Sequence, residues 1–580
     1  MLRRLACPLA VLALAACTRG TRPRGWVPVA AADDSSKATA RLPPPGVPLA
    51  WFEGKLPPEV DEGTPRRGGT LVVRVAAEPP SLDLITDSDL ITAWMLDRKV
   101  YQSLGELDGS KPPDYPLRPV LATSWEISPD GKTFTFHIRH GVRWDDGAPF
   151  TGQDVVATVQ KILDPKVRAM QLRGYFEDLA DIRTLPGDDF TVVAKYKKPY
   201  FLAFRSLATL PIYPKHILDV AGDLLHHSIH RAPVGTGPFK FQSWDTANKR
   251  IVFVRSDTYW GRKAWLDRVV YRCVEDPTVA FQMLAKGEFD LFTELSSENW
   301  VSDMPRVPAL VKGYHRIKFY DVNYSFIGWN EKTPFLADRR VRLAITYAMD
   351  RQGMLDHFLN GTERMTTCNF YPESSACDQT LKPRPYDLVK AAALLDQAGW
   401  KDHDGDGLRD KNGVPAHFTF LTLTSSPFFE KTTAYMQQQL EQIGVGMDIK
   451  KVQWALYLQM LRDHQFDACG LLWGNTDVQD DPFEIWHSSQ AKEGANYISY
   501  SNPEADRLIE EARGTLDDAK RNALYRQFGR ILYHDNPYTF LYNRPELDAV
   551  RDDVRGIRPQ VPWYDLEDVW LAQPQVAATK

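Results

Sequence analysis

A chain of 580 residues exceeds what one hydrophobic core usually covers, so two or three lobes are expected. Its 70 Lys and Arg against 75 Asp and Glu leave a formal charge of −5, near balance and with no basic stripe, which argues against a nucleic-acid partner. The 16 Trp and 23 Tyr suit large stacking surfaces, and core packing would use them equally well.

Arg3 and Arg4 precede an apolar run from Leu5 to Leu14, too short to span a bilayer as a helix and of the form of an export signal. The run ends Leu14-Ala15-Ala16-Cys17, which resembles the bacterial lipobox. That resemblance implies a signal over 1–17 and acylation of Cys17, with several acyl chains giving stable anchoring. An ordinary secretory signal with an incidental cysteine is the alternative. On either reading the mature chain is exported, to the periplasmic or cell-surface face. Residues 18–67, with Pro43-Pro44-Pro45, show no sustained periodicity and read as a tether in which only Trp26, Trp51 and Phe52 suggest folding. Of the 6 cysteines, Cys7 leaves with the signal and Cys17 takes lipid. Cys368 and Cys377 then close a short loop and are the expected disulfide. Cys273 and Cys469 lie in apolar, strand-like runs, where free thiols and a second bridge both fit.

Folding begins with a strand at Gly68 to Val75, followed by the turn Ser81-Leu82-Asp83. In Leu121 to Val155, Asp130-Gly131 predicts a turn. Phe134, Phe136 and Ile138 alternate with polar neighbours as a half-buried strand does. Asp146-Gly147 turns the chain again, and Thr151 with Asp154 predicts a helix N-cap of capping-box type. A strand over Phe190 to Tyr196 and a constrained loop at Val234-Gly235-Thr236-Gly237-Pro238-Phe239 follow. Beyond it, helical faces at Val279 to Leu284, after Asp338, at Leu388 to Leu395 and at Met436 to Ile443 alternate with strands at Asp290, Val445 and Ala468, the pattern of α/β lobes.

These residues carry a resemblance. It rests on the G-G-T-L strand and S-L-D turn, and on the series L-A-x-S-W, D-G, T-F-x-I-R, W-x-D-G-x-P-F and T-x-x-D-V across Leu121 to Val155. Gly-Thr-Gly-Pro-Phe and Tyr259-Trp260-Gly261 continue it. Together they resemble the family 5 extracellular solute-binding proteins, the dipeptide-, oligopeptide- and nickel-binding proteins that feed ABC importers. The resemblance implies an α/β fold of the periplasmic-binding-protein type II, cluster C, three-lobed, with a ligand cleft between two α/β lobes. Residues 68–88, 230–270 and 537–580 would form lobe I, 89–229 lobe II and 271–536 lobe III. It further implies a monomer and no enzyme, a peptide ligand captured by lobe closure, and membrane permease subunits as partners. A nickel or metal-chelate binder, and a ligand-sensing or chaperone-like lipoprotein without transport, are the alternatives. No catalytic signature of the G-x-S-x-G, H-E-x-x-H or Walker kind is present.

Peptide-binding members hold the ligand's amino terminus with an acidic residue just after a Trp-containing strand. Here that region runs Leu472 to Pro482, which makes Asp477 the candidate ammonium anchor, with Asp480 as its competitor and Trp473 as a wall residue. Tyr324 to Asn330 resembles a cleft-lining strand of the family, so Tyr324 and Asn330 are further candidates, with core packing open for Tyr324. No cofactor is required. Asp402, Asp404, Asp406 and Asp410 have the spacing of a calcium-type loop without its closing Glu, against the alternative of an Asx-rich surface turn. His226, His227 and His230 include an i, i+4 pair on an expected helix, where surface histidines are the stronger reading.

Overall fold

The computed structural model describes residues 43–573, apart from 58–59, 61–62, 88, 113–114, 220–223, 425–426, 475–476, 493 and 560–563. The expected signal and Cys17 lie outside the described residues.

Three sheets organise the chain. The largest has seven strands, in the order Tyr314–Tyr320, Pro545–Arg551, Leu291–Phe292, Thr70–Val75, Arg268–Cys273, Arg250–Arg255 and Phe239–Asp245. Thr70–Val75 sits at its centre, parallel to both neighbours, with Leu71, Val73 and Val75 at 0–2% exposure. A four-stranded antiparallel sheet is built from Ala122–Ile127, Thr133–Ile138, Asp188–Tyr196 and Leu179–Leu185. There the predicted alternation holds: Phe134, Phe136 and Ile138 are buried while their neighbours are half-exposed. Gly131 turns with φ 65°, a left-handed value that suits glycine, and Asp130 accepts from the Lys132 N–H. The capping box forms as read. Thr151 accepts from the Gln153 N–H, and Asp154 accepts from the Thr151 N–H at 2.8 Å, opening the helix Gly152–Leu163.

The third sheet has five strands, in the order Gly446–Val452, His417–Leu423, Ala468–Gly474, Asn323–Trp329 and Tyr538–Phe540. Helices Arg339–Ala348, capped by Asp338, and Leu388–Gln397 bury Val341, Ala344, Ile345, Ala391 and Leu395 in the same core as its Trp329 and Phe418. The loop at Gly235-Thr236-Gly237 presses against the backbone of Lys99 and Val100: Gly237 N–H donates to Val100 C=O, and a Cβ on either glycine would collide there.

The sheets divide the chain at residues other than the expected boundaries. Leu291–Phe292 and Tyr314–Tyr320 fall after 271 yet pair in the seven-stranded sheet, and the five-stranded sheet starts only at Asn323. Tyr538–Phe540 still belongs to the five-stranded sheet, so the chain returns at Pro545 and not at 537. The chain crosses between these sheets at Asp321 and Val322 and again between Phe540 and Pro545. The tether also ends earlier than expected. Leu49–Glu53 is helical, and its Trp51 enters a core with Trp300, Met304 and Tyr314. The expected histidine helix is two 3₁₀ turns, Leu224–His226 and Ser228–His230, so the i, i+4 spacing does not place His226 and His230 on one helical face.

Candidate ligand-binding site

Two cavities share Leu90 in their walls. The first, about 270 Å³, is lined by Leu84, Ile85, Leu210 and Tyr213. Its polar wall is acidic: Asp87, Asp89, Asp97, Glu106 and Asp477, with Arg98 the one basic residue among the described lining. The second, about 110 Å³, opens where the chain crosses between sheets, walled by Trp94, Phe319, Tyr564 and the carboxylates of Glu294, Asp321, Glu546 and Asp548. Gly474, the last residue of the strand carrying Trp473, reaches it from the five-stranded sheet.

In the loop after Trp473, three aspartates have different fates. Both carboxylate oxygens of Asp477 accept from Arg205, Nε at 2.5 Å and Nη2 at 2.8 Å. Arg205 stands on the helix Phe201–Ala208, is 6% exposed, and also donates to the Tyr115 C=O. Asp481 accepts from Tyr200 Oη at 2.9 Å and Arg513 Nε at 2.8 Å. Asp480 is paired with no cation among the described residues; one of its oxygens accepts from the Asp481 N–H at 2.8 Å. Burial pushes its carboxyl up to about 7, and the neighbouring charges of Asp481, Asp477 and Glu484 add to the rise. It lines a third cavity, about 310 Å³, with Phe201, Phe370, Arg521 and Tyr525. The first-choice anchor is thus already neutralised by the protein, and its competitor is not.

The other candidates have partners within the fold. Trp473 stacks at 6.2 Å on both Phe326 and Tyr497. Tyr324 is 5% exposed and packs against Phe540. Asn330 donates to the Phe466 C=O at 2.7 Å and accepts from the Lys332 N–H, which ties the strand end to a loop. Cys368 and Cys377 form the disulfide, with Cα atoms 5.8 Å apart, while Cys273 and Cys469 are free and buried in different sheets. Asp402, Asp404 and Asp406 bring carboxylate oxygens within 4.8 Å of one another at an exposed loop. Asp410 is not in that group and pairs with His403 at 3.0 Å. The loop is closed by its own backbone, with Gly405 and Gly407 N–H groups donating to Asp402. Sequence reasoning missed the carboxylates of the 110 Å³ cavity. Their one local signal is the alternate spacing of Glu546 and Asp548, which puts both on one face of a strand.

Among the described residues no helix is long and apolar enough to cross a membrane. Residues 116–495 match the family described as bacterial extracellular solute-binding proteins, family 5 Middle. The oligopeptide-binding protein AppA of Bacillus subtilis is 29% identical over 527 residues, covering 88% of this chain and 93% of that protein. The nickel-binding periplasmic protein of Escherichia coli is 26% identical over 468 residues, 78% of this chain and 86% of that protein. The solved structure of Bacillus subtilis AppA in complex with a nonapeptide superimposes with a TM-score of 0.73 at 28% identity, over 88% of this chain and 100% of that one.

Proposed function

This chain belongs to the bacterial extracellular solute-binding proteins of family 5, and from that premise we propose that it captures peptides between its sheets and delivers them to the permease of an ABC importer. It is a binding protein of transport, not an enzyme. The observation that carries the peptide reading is Asp480, a half-buried carboxylate with no ion pair to any described residue, in a cavity whose wall also holds Arg521 and Arg526. An extended peptide brings one ammonium into a dry site, and that ammonium needs such a partner. Asp480 therefore takes the role of anchor. Asp477 acts as a clasp that holds the loop to the helix of Arg205. Closure turns about the crossings at Asp321 to Val322 and between Phe540 and Pro545.

Calorimetry with one free-amino and one N-acetylated peptide tests the anchor. Asp480→Asn is expected to weaken the free-amino peptide about thirtyfold or more, and the acetylated one much less. Equal small losses for both would remove this loop from recognition of the amino terminus. Native mass spectrometry of the purified protein checks the cargo itself: co-purified masses that are not peptides would overturn the reading. Cys17 is the proposed lipid-bearing residue. Metabolic palmitate labelling that persists in Cys17→Ala would sink that part.

A further inference from the structure

We infer that the 110 Å³ cavity at Asp321 and Glu546 is a subsite for a cationic head group, so that the captured ligand carries an ammonium or guanidinium in addition to any amino terminus. This deepens the capture reading above and rests on it for the cavity's being part of the ligand cleft.

The walls of the cavity are one-sided in charge. Glu294, Asp321, Glu546 and Asp548 line it, and no basic residue does among those described. Asp548 is 1% exposed and fixed by Tyr564 Oη at 2.5 Å and the Glu294 N–H at 3.0 Å. Among the described residues the Asp321 carboxylate accepts only from the N–H of the next residue, Val322, at 2.7 Å. Glu546 is half-buried and lines the cavity, and its carboxylate has no hydrogen bond or ion pair with any described residue. Asp548 is the buried one of the four, Asp321 and Glu546 are half-buried and Glu294 is exposed; carboxylates drawn together and partly out of water without cations repel one another. Burial pushes Asp321 up to about 6 and Asp548 up to about 7, and Glu546 is raised by burial and then by Asp548 and Asp321. Arg74 and Arg544 attract from outside the wall. Arg74 lies 3.9 Å from Glu294 and donates from Nη1 to the Thr293 carbonyl and from Nη2 to the Val274 carbonyl.

A second feature points the same way. Trp94, Phe319 and Tyr564 supply aromatic faces to the same small space, and such faces attract cations as carboxylates do. The volume admits a head group but not a peptide, so the cavity reads one charged end of a larger ligand. The adjoining cavity is lined by Asp87, Asp89 and Asp97 against Arg98, with Glu106 and Asp477 already paired to Arg118 and Arg205, and its polarity has the same sign. An anionic metal chelate would meet repulsion throughout.

The test uses the full-length protein and three pentapeptide pools, with a central Lys, norleucine or Glu, alongside the free amines agmatine and spermidine. Lys is expected to bind about tenfold or more tighter than norleucine at low salt, and Glu weaker than both, with the Lys advantage shrinking as salt is added. Glu546→Gln and, separately, Asp321→Asn should collapse the Lys-to-norleucine ratio to about threefold or less. Circular dichroism of both variants reports on folding, and either one suffices to read the ratio. Equal binding of Lys and norleucine pools by the unmodified protein overturns the cationic subsite while leaving peptide capture standing. Binding of agmatine or spermidine with no peptide pool bound keeps the subsite and overturns peptide capture. Binding of none of these overturns both.

Discussion

Asp477 and Asp480 sit three positions apart, yet the protein treats them oppositely. Arg205 is buried against Asp477, so Asp477→Asn leaves a buried guanidinium without its partner charge. Unfolding in urea should show a loss of about 2–4 kcal/mol, since breaking a buried pair from one side strands the other charge. Asp480→Asn should do the reverse. A carboxyl held near 7 in the folded protein but near its ordinary value unfolded adds nothing below about pH 4. It then subtracts stability progressively up to about pH 7, because the unfolded chain gives up its proton first. Asp477, Asp481, Glu484 and Arg521 surround it and are the same in both proteins. The stability difference between Asp480→Asn and the unmodified protein is therefore expected to grow from pH 4 to pH 8. A flat difference would mean that this carboxyl is not destabilised. The sequence showed that an acidic side chain stood in this loop. It did not show which one, because both have the same residue type and only the arrival of Arg205 separates them.

Among elements, the helix Leu49–Glu53 departs most from its sequence reading. Five residues after a triple proline carry no periodicity to detect, so they passed for tether. Their fold comes from contact. Trp51 Nε1 donates to the Tyr314 C=O at 2.6 Å, and its ring lies 4.7 Å from the guanidinium of Arg316, which Trp300 faces from 3.7 Å. Arg316 is 0% exposed, and none of its three nitrogens has a hydrogen bond among the described residues, so aromatic faces are what hold it. Trp51→Ala should cost about 3 kcal/mol and open the segment before Gly68 to proteolysis, read by thermal melting and limited trypsin digestion. The loop from Asp402 behaves as its composition suggests, closed by carboxylates on nearby N–H groups. Asp402→Ala removes two such bonds and should cost about 1–2 kcal/mol. A drop in melting temperature on adding chelator to the unmodified protein would add calcium to that account.

At the scale of the molecule, the seven-stranded and five-stranded sheets are joined by short crossings, and the acidic cavity lies beside them. On the proposed closure, rotation about those crossings would change the cavity walls, since Glu546 lies in the seven-stranded sheet, Glu294 follows one of its strands and Gly474 ends a strand of the other sheet. Small-angle scattering is expected to show a smaller radius of gyration when a saturating Lys-containing peptide is present. The same peptide at one hundred times its Kd should add about 2.7 kcal/mol to unfolding, because only the folded protein binds it. A peptide that raises the melting temperature without compaction would separate binding from closure.

What the sequence determined by itself is local. The alternation at Phe134 to Ile138, the Thr151–Asp154 box, the left-handed Gly131 and the disulfide loop at Cys368 follow from short-range sterics, hydrogen bonding and spacing, and the motifs built on them identify the family. Charge pairing lay beyond it. Arg205 and Asp477 are 272 residues apart, and Asp321 meets Glu546 only because two separate crossings return the chain to one place. A carboxylate's energy is set by what surrounds it in space, so only the tertiary structure decided which acids are neutralised and which are left to face a ligand.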